Sequence, residues 1–135
     1  MDDLCLTSSI RKLIDASISV RINAYAPYSH YAVGAAVLTK QEKIFTGVNV
    51  ENASFGGTIC AERVAMSAAV AAGERQLVAI AVATRDGGSP CGICRQFLAE
   101  FGIDSMVYVV NSETGHIVQR LSLQELLPQA FLGQH

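Results

Sequence analysis

The sequence carries little charge. Only 16% of its 135 residues are Asp, Glu, Lys or Arg, and the formal net charge is -2. No run of Lys or Arg stands out. A protein that grips nucleic acid through its phosphates needs a basic patch, so a polymeric substrate is disfavoured. A small uncharged molecule suits this balance, because no strong field is needed to steer it. Scarce charge also hints at surface buried between subunits. No apolar run approaches the length that spans a bilayer. The start, MDDLCLTSSIRKLID, is acidic and then amphipathic, without the basic-then-apolar order of a signal peptide. A cytoplasmic protein is expected, where clustered cysteines read as metal or catalytic sites before disulfides. Internal repeats and low-complexity linkers are missing too, so a single domain over 1–135 is expected. Half of the residues are hydrophobic, enough for a core without disulfide staples.

Periodicity supplies the elements. Ile10, Leu13, Ile14, Ile18 and Ile22 recur at helical spacing, predicting a helix over 8–24 that Pro27 ends. Residues 33–38 and 43–48 are short β-rich runs around a polar turn, a hairpin signal. A polar loop covers 49–58. The Ala-rich stretch 60–72 ends at Gly73 and reads as a buried helix, its alanine face core or subunit contact. Residues 77–83 form a continuous apolar strand. Ser89 and Pro90 predict an N-cap and a first helical position, with the helix over 91–101. Residues 106–110 form another buried strand. Ser122 and Glu125 make a capping box for a short last helix before Pro128. This order predicts a sheet covered on both faces, with parallel neighbours joined through the two central helices.

The chemistry gathers in Cys60-Ala61-Glu62 and Pro90-Cys91-Gly92-Ile93-Cys94. A Cys-x-x-Cys opening a helix puts two sulfurs on one turn, and Cys60 adds a third. Zinc takes thiolates at tetrahedral angles, and three protein ligands leave an open position, the mark of a catalytic site. Both segments begin predicted helices, whose positive ends favour thiolate. Three thiolates still exceed Zn²⁺ by one negative charge, which Arg63 can offset by donating to sulfur. Glu62 stands two residues from Cys60 and can lie beside the metal without being a ligand. A redox dithiol has no need of Cys60-Ala61-Glu62. A closed four-thiolate structural site needs Cys5, far away near the start. Asn49 and Glu51, two apart on an extended segment, share one face and suit a sugar hydroxyl; a solvated loop is the plain alternative. His30, His116 and His135 read as surface histidines and Cys5 as a spectator. Arg95 and Gln96 read as support for the metal segment, and Glu100 lies too far along its helix to rival Glu62.

These stretches resemble the small homotetrameric zinc-dependent cytidine deaminases over nearly the whole chain, about 28–131. The likeness is carried by Tyr28-Ser29-His30-Tyr31-Ala32-Val33-Gly34-Ala35-Ala36, Asn49-Val50-Glu51-Asn52-Ala53-Ser54, Cys60-Ala61-Glu62-Arg63, Ser89-Pro90-Cys91-Gly92-Ile93-Cys94-Arg95-Gln96 and Leu126-Leu127-Pro128 with Phe131. The resemblance implies an α/β fold, three layers with a five-stranded mixed sheet. It implies one zinc per subunit and hydrolytic deamination of cytidine and 2'-deoxycytidine to the uridines in pyrimidine salvage. Water at the metal attacks C4 of the base while Glu62 protonates N3 and then the departing amine. By the same likeness Asn49 and Glu51 bind the ribose and the backbone at Ala61 and Ser89 holds the base edge. Phe131 stacks in a neighbour's site within a tetramer. Two positions depart from the family. Tyr31 stands where Phe is usual near the base or ribose, and its hydroxyl needs a partner. Phe55 stands where Tyr often reaches toward the sugar across the subunit contact. The alternatives are a deaminase of a nucleoside antibiotic such as blasticidin S or of a nucleic-acid base, and a non-catalytic zinc-stabilised module.

Overall fold

A computed structural model describes residues 7–133. Four helices are α1 (Ser8–Val20), α2 (Ala61–Ala71), α3 (Gly92–Gly102) and α4 (Leu123–Leu126). Five strands are β1 (Gly34–Thr39), β2 (Ile44–Val48), β3 (Leu77–Thr84), β4 (Met106–Asn111) and β5 (Ile117–Ser122). They form one sheet in the order β2-β1-β3-β4-β5. Only β3 and β4 are parallel; the pairs β1–β2, β1–β3 and β4–β5 are antiparallel.

The middle strands are apolar throughout because both of their faces are covered. In β3, Ile80 and Val82 point to one layer, with Met66 of α2 and Leu98 of α3. Ala79, Ala81 and Ala83 point to the other, with Leu13 and Ile14 of α1. Alternate residues face opposite sides of a strand, so bulk on one side and alanine on the other set how closely each layer approaches. Leu13, Ile14, Met66 and Leu98 are fully buried, each contributing about 1.5–3 kcal/mol of apolar burial. The result is the expected three-layer α-β-α arrangement around a five-stranded mixed sheet.

Helix α2 lies very close to β2 at Gly47. A Cβ there would stand 2.4 Å from the Ala65 nitrogen and 2.7 Å from the Ala61 carbonyl oxygen. Glycine is the residue that lets two backbones meet at this range.

Four sequence expectations are corrected. The first helix stops at Val20 and tightens into a 3₁₀ turn, Arg21–Asn23, where Arg21 Nε donates to the Ala32 carbonyl at 2.9 Å. The crossover through α2 joins strands of like direction that are not neighbours, since β1 lies between β2 and β3. The third helix is capped by Cys91 and not by Ser89, so Pro90 falls outside it. The element order read from periodicity ended its strands at 110, and a fifth strand follows, Ile117–Ser122, an edge whose middle residues are exposed. The predicted Ser122–Glu125 capping box is present in full.

Candidate active site

Both helices that point into the site begin at a cysteine. Cys60 is the N-cap of α2 and Cys91 the N-cap of α3, each with extended backbone and no side-chain capping bond. Ser, Thr, Asp or Asn would use its side chain to satisfy the free N–H groups of the first turn. Cysteine forgoes that bond and leaves its sulfur available. Cys94, one turn into α3, is fully buried. The three sulfurs lie within 4.8 Å of one another, and those of Cys60 and Cys91 are 4.0 Å apart. A disulfide requires about 2.05 Å, so this is no bridge. Tetrahedral ligands at about 2.3 Å from zinc stand about 3.8 Å apart, so the spacing fits that ion.

The electrostatics suit a cation. The Cys60 thiol is drawn down to about 5, first by a hydrogen bond from Cys94, then by Arg63 and Cys91. The same Cys60–Cys94 bond, with burial, holds the Cys94 thiol up. Arg63 Nη2 lies 3.8 Å from the Cys60 sulfur, the contact expected to offset excess thiolate charge. Glu62 is 5% exposed, and burial is the main cause of its carboxyl rising to about 7. A carboxyl that titrates near neutrality both gives and takes protons at working pH.

A cavity of about 300 Å³ opens beside this cluster. Its lining includes Cys60, Ala61, Glu62, Ser89 and Cys91 together with Tyr31, Asn49 and Glu51. A larger cleft of about 740 Å³, around Leu77, Glu100 and Phe101, holds none of the sulfurs and takes Glu100 away from Glu62. Asn49 is buried. Its Oδ1 accepts from Val33 N at 3.0 Å and its Nδ2 donates to Tyr31 O at 2.8 Å. Glu51 accepts from the backbone nitrogens of Tyr28 and Ser29, both at 3.0 Å, and from the Ser29 hydroxyl. These bonds from Ser29 hold its carboxyl below the usual range. The Tyr31 hydroxyl donates to Asp86.

The structure thus gathers Cys60, Cys91, Cys94, Glu62, Arg63, Ala61, Ser89, Asn49, Glu51 and Tyr31. It does not bring Phe55 or Phe131 to this chain's own cavity. Phe55 is 76% exposed and meets Tyr28 edge-on. Phe131 is 68% exposed, with its carbonyl held by Gln96 Nε2 at 2.6 Å. Arg95 donates to Pro90 O, Leu126 O and Ser89 Oγ, the supporting role expected of it. His30 and His116 are exposed and outside the sulfur cluster. Cys5 and His135 lie outside the described residues. Ser29, Thr58, Thr84 and Gly88 also line the cavity and were not singled out; for Ser29 the signal was its place in the Tyr28–Ala36 stretch.

Three cysteine sulfurs at zinc-ligand spacing, with a cavity and a buried carboxyl beside them, define a zinc-dependent enzyme site on a three-layer α/β fold. The comparisons give the family. The model of the cytidine and deoxycytidylate deaminase zinc-binding region matches residues 7–110, and the chain belongs to that family. A cytidine deaminase of Halalkalibacterium halodurans is 45% identical over 90% of this chain and 93% of its own length. A probable cytidine deaminase of Dictyostelium discoideum is 46% identical over 90% of this chain and 83% of its own. The crystal structure of cytidine deaminase from Burkholderia pseudomallei superposes with a TM-score of 0.84 at 44% identity, covering 93% of this chain and 100% of the other. The sulfur cluster fits the zinc that the family description names.

Proposed function

We propose that the protein hydrolyses cytidine and 2'-deoxycytidine to uridine and 2'-deoxyuridine, releasing ammonia. The observation that carries this reading is Glu62, buried beside three convergent sulfurs in the lining of a nucleoside-sized cavity. Zinc held by Cys60, Cys91 and Cys94 supplies an open position where water becomes acidic enough to act as a nucleophile near neutral pH.

The chain's own groups do the rest. Glu62 takes a proton from water, passes it to N3 of the cytosine ring, and delivers the next to the departing amine. One water enters and one ammonia leaves. Burial raises this carboxyl toward neutrality in the metal-free protein, which suits a group that both takes and gives a proton. Arg63 tempers the charge of the sulfurs. The backbone at Ala61 and Ser89 meets the base edge.

Asn49 and Glu51 hold the sugar with what their internal bonds leave over. Asn49 has one N–H and one lone pair remaining, and Glu51 has one lone pair of about four. Such a donor and acceptor pair matches a ribose hydroxyl. The exposed rings of Phe55 and Phe131 belong in this reading to the contacts of a homotetramer, Phe131 stacking in a neighbour's site. The low charge supports a free nucleoside over nucleic acid, and the setting is cytoplasmic pyrimidine salvage. No helix among the described residues is long and apolar enough to cross a membrane. An ultraviolet assay of cytidine conversion, with ammonia measured in parallel, tests the reading. Zinc-loaded protein that leaves cytidine unchanged overturns it.

A further inference from the structure

Residues 85–91 join β3 to α3 without helix or strand of their own. This stretch nonetheless delivers two side chains to the cavity, those of Ser89 and Cys91, beside Gly88. Its order must therefore come from side chains. At its far end Arg95 supplies it, donating to Pro90 O at 2.8 Å and to Ser89 Oγ at 3.1 Å. At its near end the bonds converge on Asp86. Thr84 Oγ1 receives the Gly88 N–H at 2.8 Å and lies 3.4 Å from Asp86 Oδ1. The same Oδ1 accepts the Tyr31 hydroxyl, from a residue 55 positions earlier in the chain.

Tyr31 also meets this stretch on both sides of Asp86. The Arg85 guanidinium carbon is 5.2 Å from its ring centroid. At Gly88 a Cβ would come within 2.9 Å of the tyrosine oxygen. A phenol has one proton to donate. Given to a carboxylate, that bond is charge-assisted and stronger than one to a neutral sugar or base. Asp86 is correspondingly held below the usual carboxylate range, first by this bond.

We propose that Asp86 is a positioning residue of the active site, latched by the Tyr31 hydroxyl so that the 85–91 segment holds Ser89 and Cys91 in place. The Tyr31 hydroxyl then serves the protein and not the nucleoside, and the ring alone faces the cavity. Phenylalanine at 31 would keep the wall and lose the latch.

The inference deepens the proposed site, and its test is read without substrate. Zinc-loaded wild type, Tyr31→Phe, Asp86→Ala, Asp86→Asn and the Tyr31→Phe/Asp86→Ala double variant are mixed with a chromogenic chelator, and zinc release is timed. Groups behind a metal ligand typically change metal affinity by about 10–100-fold. Tyr31→Phe and Asp86→Ala should each speed release about tenfold, and the double variant should release no faster than either. Asp86→Asn keeps an acceptor oxygen and should stay nearer wild type; should Asp86→Ala fold poorly, Asp86→Leu, of similar size but without an acceptor, with and without Tyr31→Phe gives the same comparison. Unchanged release in Asp86→Ala, or a double variant equal to the product of the singles, overturns the latch. So does a Tyr31→Phe variant whose cytidine KM rises while zinc release stays at the wild-type rate. Wild type that keeps zinc but ignores cytidine would overturn the proposed function, while the release rates still decide the latch.

Discussion

Two groups of residues lining the cavity are built on opposite plans. In the metal group, side chains come from helix starts and keep their bonding capacity for something outside the protein. Cys60 and Cys91 sit at N-caps yet make no capping bond. Asn49 and Glu51 instead come from irregular chain and spend most of their capacity on neighbouring backbone. The first group therefore bears the chemistry and depends on a ligand for its own satisfaction. The second is complete without one and offers shape with a few spare bonds. Mutations should divide the same way, toward turnover in one group and toward stability or KM in the other.

The largest effect is expected from Cys94→Ala. It removes a buried ligand, so metal analysis should find zinc lost and the ammonia assay no turnover. Next comes Glu62→Gln, which keeps the volume and removes the proton carrier. Zinc should stay stoichiometric while kcat falls about 10²–10⁴-fold. Ordinary turnover in that variant would remove Glu62 from the mechanism.

In the other group Asn49→Ala strands the Val33 N–H and the Tyr31 carbonyl. An unmet buried polar group costs about 1–3 kcal/mol, so the urea midpoint should drop clearly while zinc remains. A variant losing kcat alone, with stability intact, would break the contrast. Glu51→Gln is milder. It should raise the cytidine KM by about tenfold, the worth of about one hydrogen bond, with zinc content unchanged.

The smallest effect is one of pH, in protein stripped of zinc. Glu62 is raised from 4.5 to about 7, so the folded state holds its proton longer and stability falls as pH rises through that window. Cys60 is lowered from 9.0 to about 5, so it adds stability as pH rises from about 5 to 9. The two oppose between about 5 and 7, and Cys60 prevails from about 7 to 9, beyond which the raised Cys94 thiol works against stability. The urea midpoint should be nearly flat below neutrality and climb above it. Glu62→Gln should make it climb from about pH 5.

The metal group was legible in the sequence because its signal is local. A Cys-x-x-Cys at a helix start and a Cys-Ala-Glu at another need only their own turns to declare themselves. The buried strands 77–84 and 106–111 were legible because both faces are covered, which leaves continuous apolar runs. The edge strand Ile117–Ser122 was not, since Val118, Gln119 and Arg120 are exposed and no alternation marks it. The Asn49 and Glu51 pair was visible as types and spacing, but their commitment to residues 28–33 is tertiary. Asp86 was hidden for the same reason. In the sequence it is one polar residue before two glycines, and its partner Tyr31 is brought near only by the fold.

The contact at Gly47 carries a wider consequence. The turn of helix that carries Glu62 rests on a position with no room for a single added carbon. Substitution there is closed off by geometry, although residue 47 does not line the cavity. An inventory of cavity walls would overlook it, yet it fixes how closely the helix that bears Glu62 lies against the sheet.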